Sequence, residues 1–209
     1  MAECRNARYT IRYATEHDVP VILQLIQELA IYEKALHEVR ATEEKLFQTL
    51  SFPTSSDSKI RAKPGTAKTL LLISYESAVN GASSPAAQVS AALETESSDN
   101  ATFEEGPGQV AGMALFFNNY STWLAQPGIY LEDLFVRPQY RKKGYGKALF
   151  QALARECLEK DYGRLEWQVL RWNQPSIDFY RAIGAGSQGD EWDYMRLTGD
   201  ALSELASRP

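Results

Sequence analysis

The stretch from Ile129 to Ala154, IYLEDLFVRPQYRKKGYGKALFQALA, constrains the fold more than any other part of the chain. It reads as a strand, then a short basic turn holding two glycines, then an amphipathic helix over Gly144 to Tyr162. Leu149, Phe150, Leu153 and Leu158 form the apolar side of that helix. A helix N-terminus presents backbone N–H groups without intrahelical acceptors and a partial positive charge. Gly144 and Gly146 lack a Cβ, so a ligand can come close to the backbone there. Arg141, Lys142, Lys143 and Lys147 surround them. The arrangement predicts a cradle for a pyrophosphate. Two other glycine loops fail on spacing. A Walker loop needs Ser or Thr after Gly-Lys, and Ala148 follows Lys147. A dinucleotide fingerprint needs a third glycine where Leu149 stands.

The flanking segments fill out an α/β pattern. Tyr9 to Tyr13 alternates as a first strand. Thr15 and Asp18 make a capping box, and Val21, Ile22, Leu25, Ile26, Leu29 and Ala30 recur at helical spacing after it. Thr42 caps a short second helix, and Ser51 to Thr66 reads as a loop. Thr69 to Tyr75, Val110 to Asn118 and Ile129 to Val136 are strands; the connection Asn119 to Gly128 carries an exposed-looking Trp123. Ser77 to Gly108 has almost no large apolar side chains and reads as a flexible insertion within a single domain spanning 1–209. Arg164 to Leu170 is a strand, Pro175 starts a helix reaching Arg181, and Trp192 to Leu197 is a last strand. Consecutive middle strands with helices on either side predict a mixed sheet, antiparallel first and partly parallel later.

Composition narrows the function. A net charge of −5 argues against a general nucleic-acid-binding role. Cys4 and Cys157 are far apart and form no redox or metal pattern, and His17 and His37 are the only imidazoles. Cys157 falls in the helical pattern as a small buried hydrophobe. Met1 to Tyr13 has neither the apolar run of a signal peptide nor that of a membrane anchor, so the expectation is a cytoplasmic protein without membrane contact. Trp123, Trp167 and Trp172 read most simply as packing residues.

Arg141-x-x-Gly144-x-Gly146, after a strand and a Val-Arg-Pro turn, resembles the acetyl-CoA loop of the GNAT acetyltransferase superfamily. The resemblance extends from Ile11 to Leu197 apart from the insertion. Within the superfamily the chain is most similar to the spermidine/spermine (diamine) and thialysine acetyltransferases. Three segments carry this: Glu28-Leu29-Ala30-x-Tyr32-Glu33, Tyr130-Leu131-Glu132-Asp133-x-Phe135-Val136, and Trp172-Asn173-x-Pro175-Ser176-Ile177-x-Phe179-Tyr180. The resemblance implies a GNAT-type mixed, partly splayed sheet flanked by helices. It also implies that the pantetheine arm fills the splay against backbone groups of Leu134, Phe135 and Val136. Arg141, Lys142, Lys143, Gly144, Tyr145, Gly146 and Lys147 would hold the pyrophosphate, with Asn173 and Ser176 on the far side. A homodimer is implied as well.

The chemistry has two proton problems. An alkyl ammonium has a pKa of about 10.4 and must lose a proton before it can attack a thioester. Glu132 is the candidate base, directly or through water, and its charge would attract the ammonium. Asp133 faces the other way if strict alternation holds, an assignment that a bulge would change. The departing thiolate needs a proton, and Tyr180 matches the family's catalytic tyrosine. Tyr32 and Glu33 match the family's substrate-contacting pair, with Glu166 and Trp192 as further acceptor-pocket candidates. The expected acceptor is the primary amine of a small molecule. Protein lysine or N-terminal acetylation, and acyl-CoA binding without catalysis, are the alternatives.

Overall fold

The computed structural model describes residues 4–6, 8–53, 65–76, 108–189 and 192–207. The chain divides into two compact units, Met1–Gln168 and Val169–Pro209. The first contains β1 (Cys4–Asn6), β2 (Tyr9–Tyr13), α1 (Val19–Tyr32), α2 (Glu43–Thr49), β3 (Ala67–Ser74), β4 (Gln109–Ser121), β5 (Gln126–Val136), α3 (Tyr145–Glu159) and β6 (Leu165–Trp167). Its six strands form one sheet in sequence order. Neighbours are antiparallel from β1 to β5, and β5–β6 is parallel. The mixed sheet is the one that the strand pattern predicts.

Period-two alternation divides the sheet between two helical layers. Leu71, Met113, Leu115 and Phe135 point to α1 and α2, where they pack with Ile22, Leu25, Leu46 and Leu50. Tyr9 and Tyr13, opposite Ser74 and Leu70, point to the other face, which α3 covers. There the Tyr9 and Tyr145 rings meet edge to face with centroids 5.4 Å apart, and Tyr13 donates its hydroxyl to Glu156. Local signals start the helices as expected. The Thr15 N–H donates to the Asp18 carboxylate at 2.7 Å, and Thr42 Oγ1 accepts the Lys45 N–H at 3.2 Å.

Several expectations need correcting. Leu158 is not on the buried side of α3 but 82% exposed; the buried stripe runs through Leu149, Ala152, Leu153, Glu156 and Cys157, and Leu158 lies about 100° past Cys157. Glu156 holds a core position because Tyr13 and Lys160 satisfy its carboxylate and Lys68 lies 3.8 Å away. Only Leu165–Trp167 of the stretch 164–170 is strand. The Asn119–Gly128 connection is mostly strand as well, since β4 and β5 extend to a turn at 122–125. Trp167 packs edge to face on Phe150 at 4.8 Å, but Trp123 (88%) and Trp172 are exposed.

The second unit holds α4 (Gln174–Ala182) and α5 (Gly199–Ser207). Residues 192–197 are not a strand: Trp192, Tyr194 and Met195 are exposed, and no described strand pairs with them. A strand requires a partner ladder, which a local sequence pattern does not reveal. The proposed insertion, apart from Gly108, and 54–64 of the expected loop lie outside the described residues. Among the described residues no helix is long and apolar enough to cross a membrane, and no group of three His, Cys, Asp or Glu side chains is placed to hold a metal ion.

Candidate functional site

Three chain segments of the first unit converge at the C-terminal end of β5. The first is the end of α1. Lys34 adopts a left-handed φ of 61°, and the Ala35 N–H reaches back to the Ala30 carbonyl at 2.8 Å, which stops the helix just after Tyr32 and Glu33. The second is β5 itself. Its register against β4 places Asp133 opposite Leu115 and Leu131 opposite Phe116, so Glu132 is the extra residue of a bulge. The third is the turn 137–144 leading into α3. Arg137 ties all three together. It donates to both oxygens of Glu28 on α1 at 2.9 to 3.2 Å and to the Val110 carbonyl at 2.9 Å. Glu28 belongs to a segment that carried the resemblance, but a role for it becomes visible only through this bridge.

The bulge decides the electrostatics. Strict alternation would send Glu132 and Asp133 to opposite faces, whereas here Glu132 is exposed and Asp133 half-buried at the same corner. Burial, followed by the nearby charges of Glu132 and Glu33, pushes the Asp133 carboxyl up to about 6. Burial also raises Glu33. Tyr32 belongs to the same corner, since the Arg141 guanidinium lies 4.9 Å from its ring centroid and 5.7 Å from that of Phe135. The charges of Glu132 and Glu33 thus act on Asp133, and the Arg141 guanidinium lies over the Tyr32 ring at the same corner.

Beside this corner the sheet opens. β6 pairs with β5 only at Ile129–Leu131, and β5 continues five residues further. The Arg137 N–H bonds to Ala111 on the β4 side, while the Val136 carbonyl accepts from Arg141 Nε at 2.9 Å. By alternation, Leu134 also directs its amide and carbonyl away from β4, and Phe135 directs its own toward it. The turn then enters α3 through Lys142 (φ 63°) and the N-cap Gly144 (φ 81°). A left-handed N-cap aims the first-turn amides of Tyr145, Gly146 and Lys147 outward. Lys142 and Lys147 are exposed, and Lys143 forms an ion pair with Glu76 at 3.1 Å. The Tyr145 side chain is buried, its hydroxyl 2.9 Å from Ser74 Oγ, so only its backbone can meet a ligand.

The remaining candidates are Glu166 of β6 and four residues of the second unit. Glu166 is opposite Tyr130 on β6, and its carboxylate is held by Arg164 at 3.0 Å and Asn119 at 2.5 Å. Asn173, Ser176, Tyr180 and Trp192 belong to the second unit. Asn173 is buried and caps α4, its Oδ1 accepting the Ser176 N–H at 3.4 Å. Tyr180 is half-buried on α4 with its ring 5.3 Å from that of Phe179, and Trp192 is exposed.

Known proteins resemble this chain in sequence and fold. The model of the Acetyltransferase (GNAT) family matches residues 73–185. An L-ornithine N5-acetyltransferase of Arabidopsis thaliana is 37% identical over 211 residues, covering 93% of this chain and 86% of that protein. A thialysine N-epsilon-acetyltransferase of Bos taurus is 31% identical over 204 residues, covering 95% and 97%. Among solved structures, an integron cassette protein from the mobile metagenome of V. cholerae superposes with a TM-score of 0.64 at 21% identity, over 97% of this chain and all of that one. At that identity the likeness concerns the fold.

Proposed function

The chain belongs to the GNAT acetyltransferase family and is an acetyltransferase, and from that premise we propose that it acetylates a primary amine on a small molecule bearing a second cationic centre. Ornithine, thialysine and polyamines share this chemistry. The observation that carries the reading is the carboxylate corner of Glu33, Glu132 and Asp133. A half-buried acid pushed up to about 6 by burial, and further by the charges of Glu132 and Glu33, favours a counter-cation. Two ammonium groups on one acceptor would match it better than one.

GNAT acetyltransferases use acetyl-CoA, which supplies an acetyl group activated as a thioester. The residues present suit it. The left-handed Gly144, the first-turn amides of α3, and Lys142 and Lys147 suit a pyrophosphate. The outward amide and carbonyl of Leu134 suit an amide-bearing arm, and the Leu134 N–H could also stabilise a developing oxyanion. In the proposed mechanism Glu132 takes a proton from the acceptor ammonium at its exposed carboxylate, while Asp133 and Glu33 hold the cation in place. Tyr180 would supply, from its hydroxyl, the proton that the departing thiolate takes as the thioester C–S bond breaks and the amide bond forms. No covalent step on the protein is involved, in keeping with burial raising the Cys157 thiol away from its reactive form. The family resemblance further supports a homodimer, whose mass would be twice 23.4 kDa, or 46.8 kDa.

The test is release of CoA thiol from acetyl-CoA against ornithine, thialysine, lysine, spermidine, putrescine, glucosamine and a histone-tail peptide. Turnover concentrated among the diamino compounds, and lost in Tyr180→Phe, supports the reading. Turnover with glucosamine or the peptide alone would overturn the acceptor class.

A further inference from the structure

We propose that Glu76 is a positioning residue for the acetyl-CoA loop, holding the turn 141–146 in its binding shape through Lys143 and Tyr145. The inference rests on the assignment of that turn to the pyrophosphate of acetyl-CoA. Glu76 lies two residues beyond β3. Leu72 and Val136 both lie opposite Gly112, so β3 and β5 end at the same edge of the sheet. The turn that follows β5 thus meets the residues that follow β3.

The Glu76 carboxylate takes the Lys143 ammonium at 3.1 Å and the Tyr145 hydroxyl at 3.3 Å, and Arg8 Nε lies 3.4 Å away. Its own N–H donates to Ser74 Oγ at 3.2 Å, the same oxygen that meets the Tyr145 hydroxyl. Lys143 is thereby held with most of its side chain covered, its ammonium 5.7 Å from the Tyr140 ring centroid. The turn to be held includes an unfavourable residue. Lys142, not a glycine, has a left-handed φ of 63°, and Lys143 stands between it and the left-handed Gly144. Arg141 fixes the turn on one side through the Val136 carbonyl, and Glu76 fixes it on the other through Lys143.

Charge makes the placement informative. A carboxylate beside a pyrophosphate site repels the ligand and neutralises one of the four cations around it. If Glu76 acted only through charge, its removal would tighten binding. If it acts by holding geometry, its removal weakens binding, because the amides of Tyr145, Gly146 and Lys147 lose their alignment.

Calorimetric titration with CoA separates these cases for wild type, Glu76→Gln, Lys143→Gln and the double variant, with thermal midpoints recorded on the same samples. Glu76→Gln should raise the Kd for CoA about five- to tenfold, the scale of one lost half-buried ionic contact. The double variant should bind no more than about twofold worse than the poorer single, since both remove one link. A Glu76→Gln Kd within twofold of wild type, or a tighter one, overturns the proposal, whatever happens to the thermal midpoint. Wild type that fails to bind CoA would instead overturn the function on which it rests.

Discussion

At the scale of single residues, Asp133 carries the clearest prediction. Its carboxyl is pushed up to about 6 from an ordinary 3.8. Between those values the folded protein keeps a proton that the unfolded chain has released, so stability falls as pH rises through that window and levels off above it. A shift of about two units corresponds to roughly 3 kcal/mol at neutral pH. Asp133→Asn should therefore raise the thermal midpoint by several degrees at pH 7.5, with the gain fading toward pH 4; melts at both pH values check it. A bound diammonium ligand should relieve the same strain and displace the proton. Titrations near pH 6 in buffers of different ionisation enthalpy would show proton release. Tyr180 is tested differently. Loss of a general acid should lower kcat by about 10²- to 10⁴-fold, while acetyl-CoA affinity stays nearly unchanged. A Tyr180→Phe enzyme with wild-type kcat would remove Tyr180 from the mechanism.

At the scale of elements, the site depends on how β5 hands over to α3. The handover relies on the left-handed φ of 81° at Gly144, which glycine adopts freely, and no atom lies within 4 Å of where a Cβ would stand. Gly144→Ala therefore meets a dihedral penalty and no clash, about 1–2 kcal/mol of stability for a left-handed non-glycine residue. Chemical denaturation should read that loss in a protein that still folds, and CoA affinity should fall with it. A variant as stable as wild type would mean that the turn relaxes to another conformation. The bridge from Arg137 to Glu28 fastens this handover to α1. It explains why the end of the first helix, far away in sequence, helps build the carboxylate corner.

At the scale of the whole molecule, the acidic balance works with the site. A net charge of −5 and a corner of three carboxylates should steer cationic acceptors, so kcat/KM for a diamine should fall as salt rises. A drop of several-fold between about 10 mM and 300 mM salt is expected, since the screening length shrinks from about 30 Å to below 8 Å. An uncharged-acceptor analogue should respond less, and equal slopes for the two would argue against steering. The sequence by itself determined the α/β architecture, the mixed sheet, the glycine turn and most helix starts, including the caps at Thr15 and Thr42. Those features are local: periodicity, caps and glycine placement act within a turn or two of chain. Tertiary structure alone decided that Glu156 is buried and Leu158 exposed, that a bulge at Glu132 brings Asp133 beside Glu33, and that Glu76 reaches Lys143. It also decided that residues 192–197 form no strand in this chain. Each of these depends on which distant segment supplies the partner, a hydroxyl for a buried carboxylate or a neighbouring strand for a register, and separation along the chain carries no record of that.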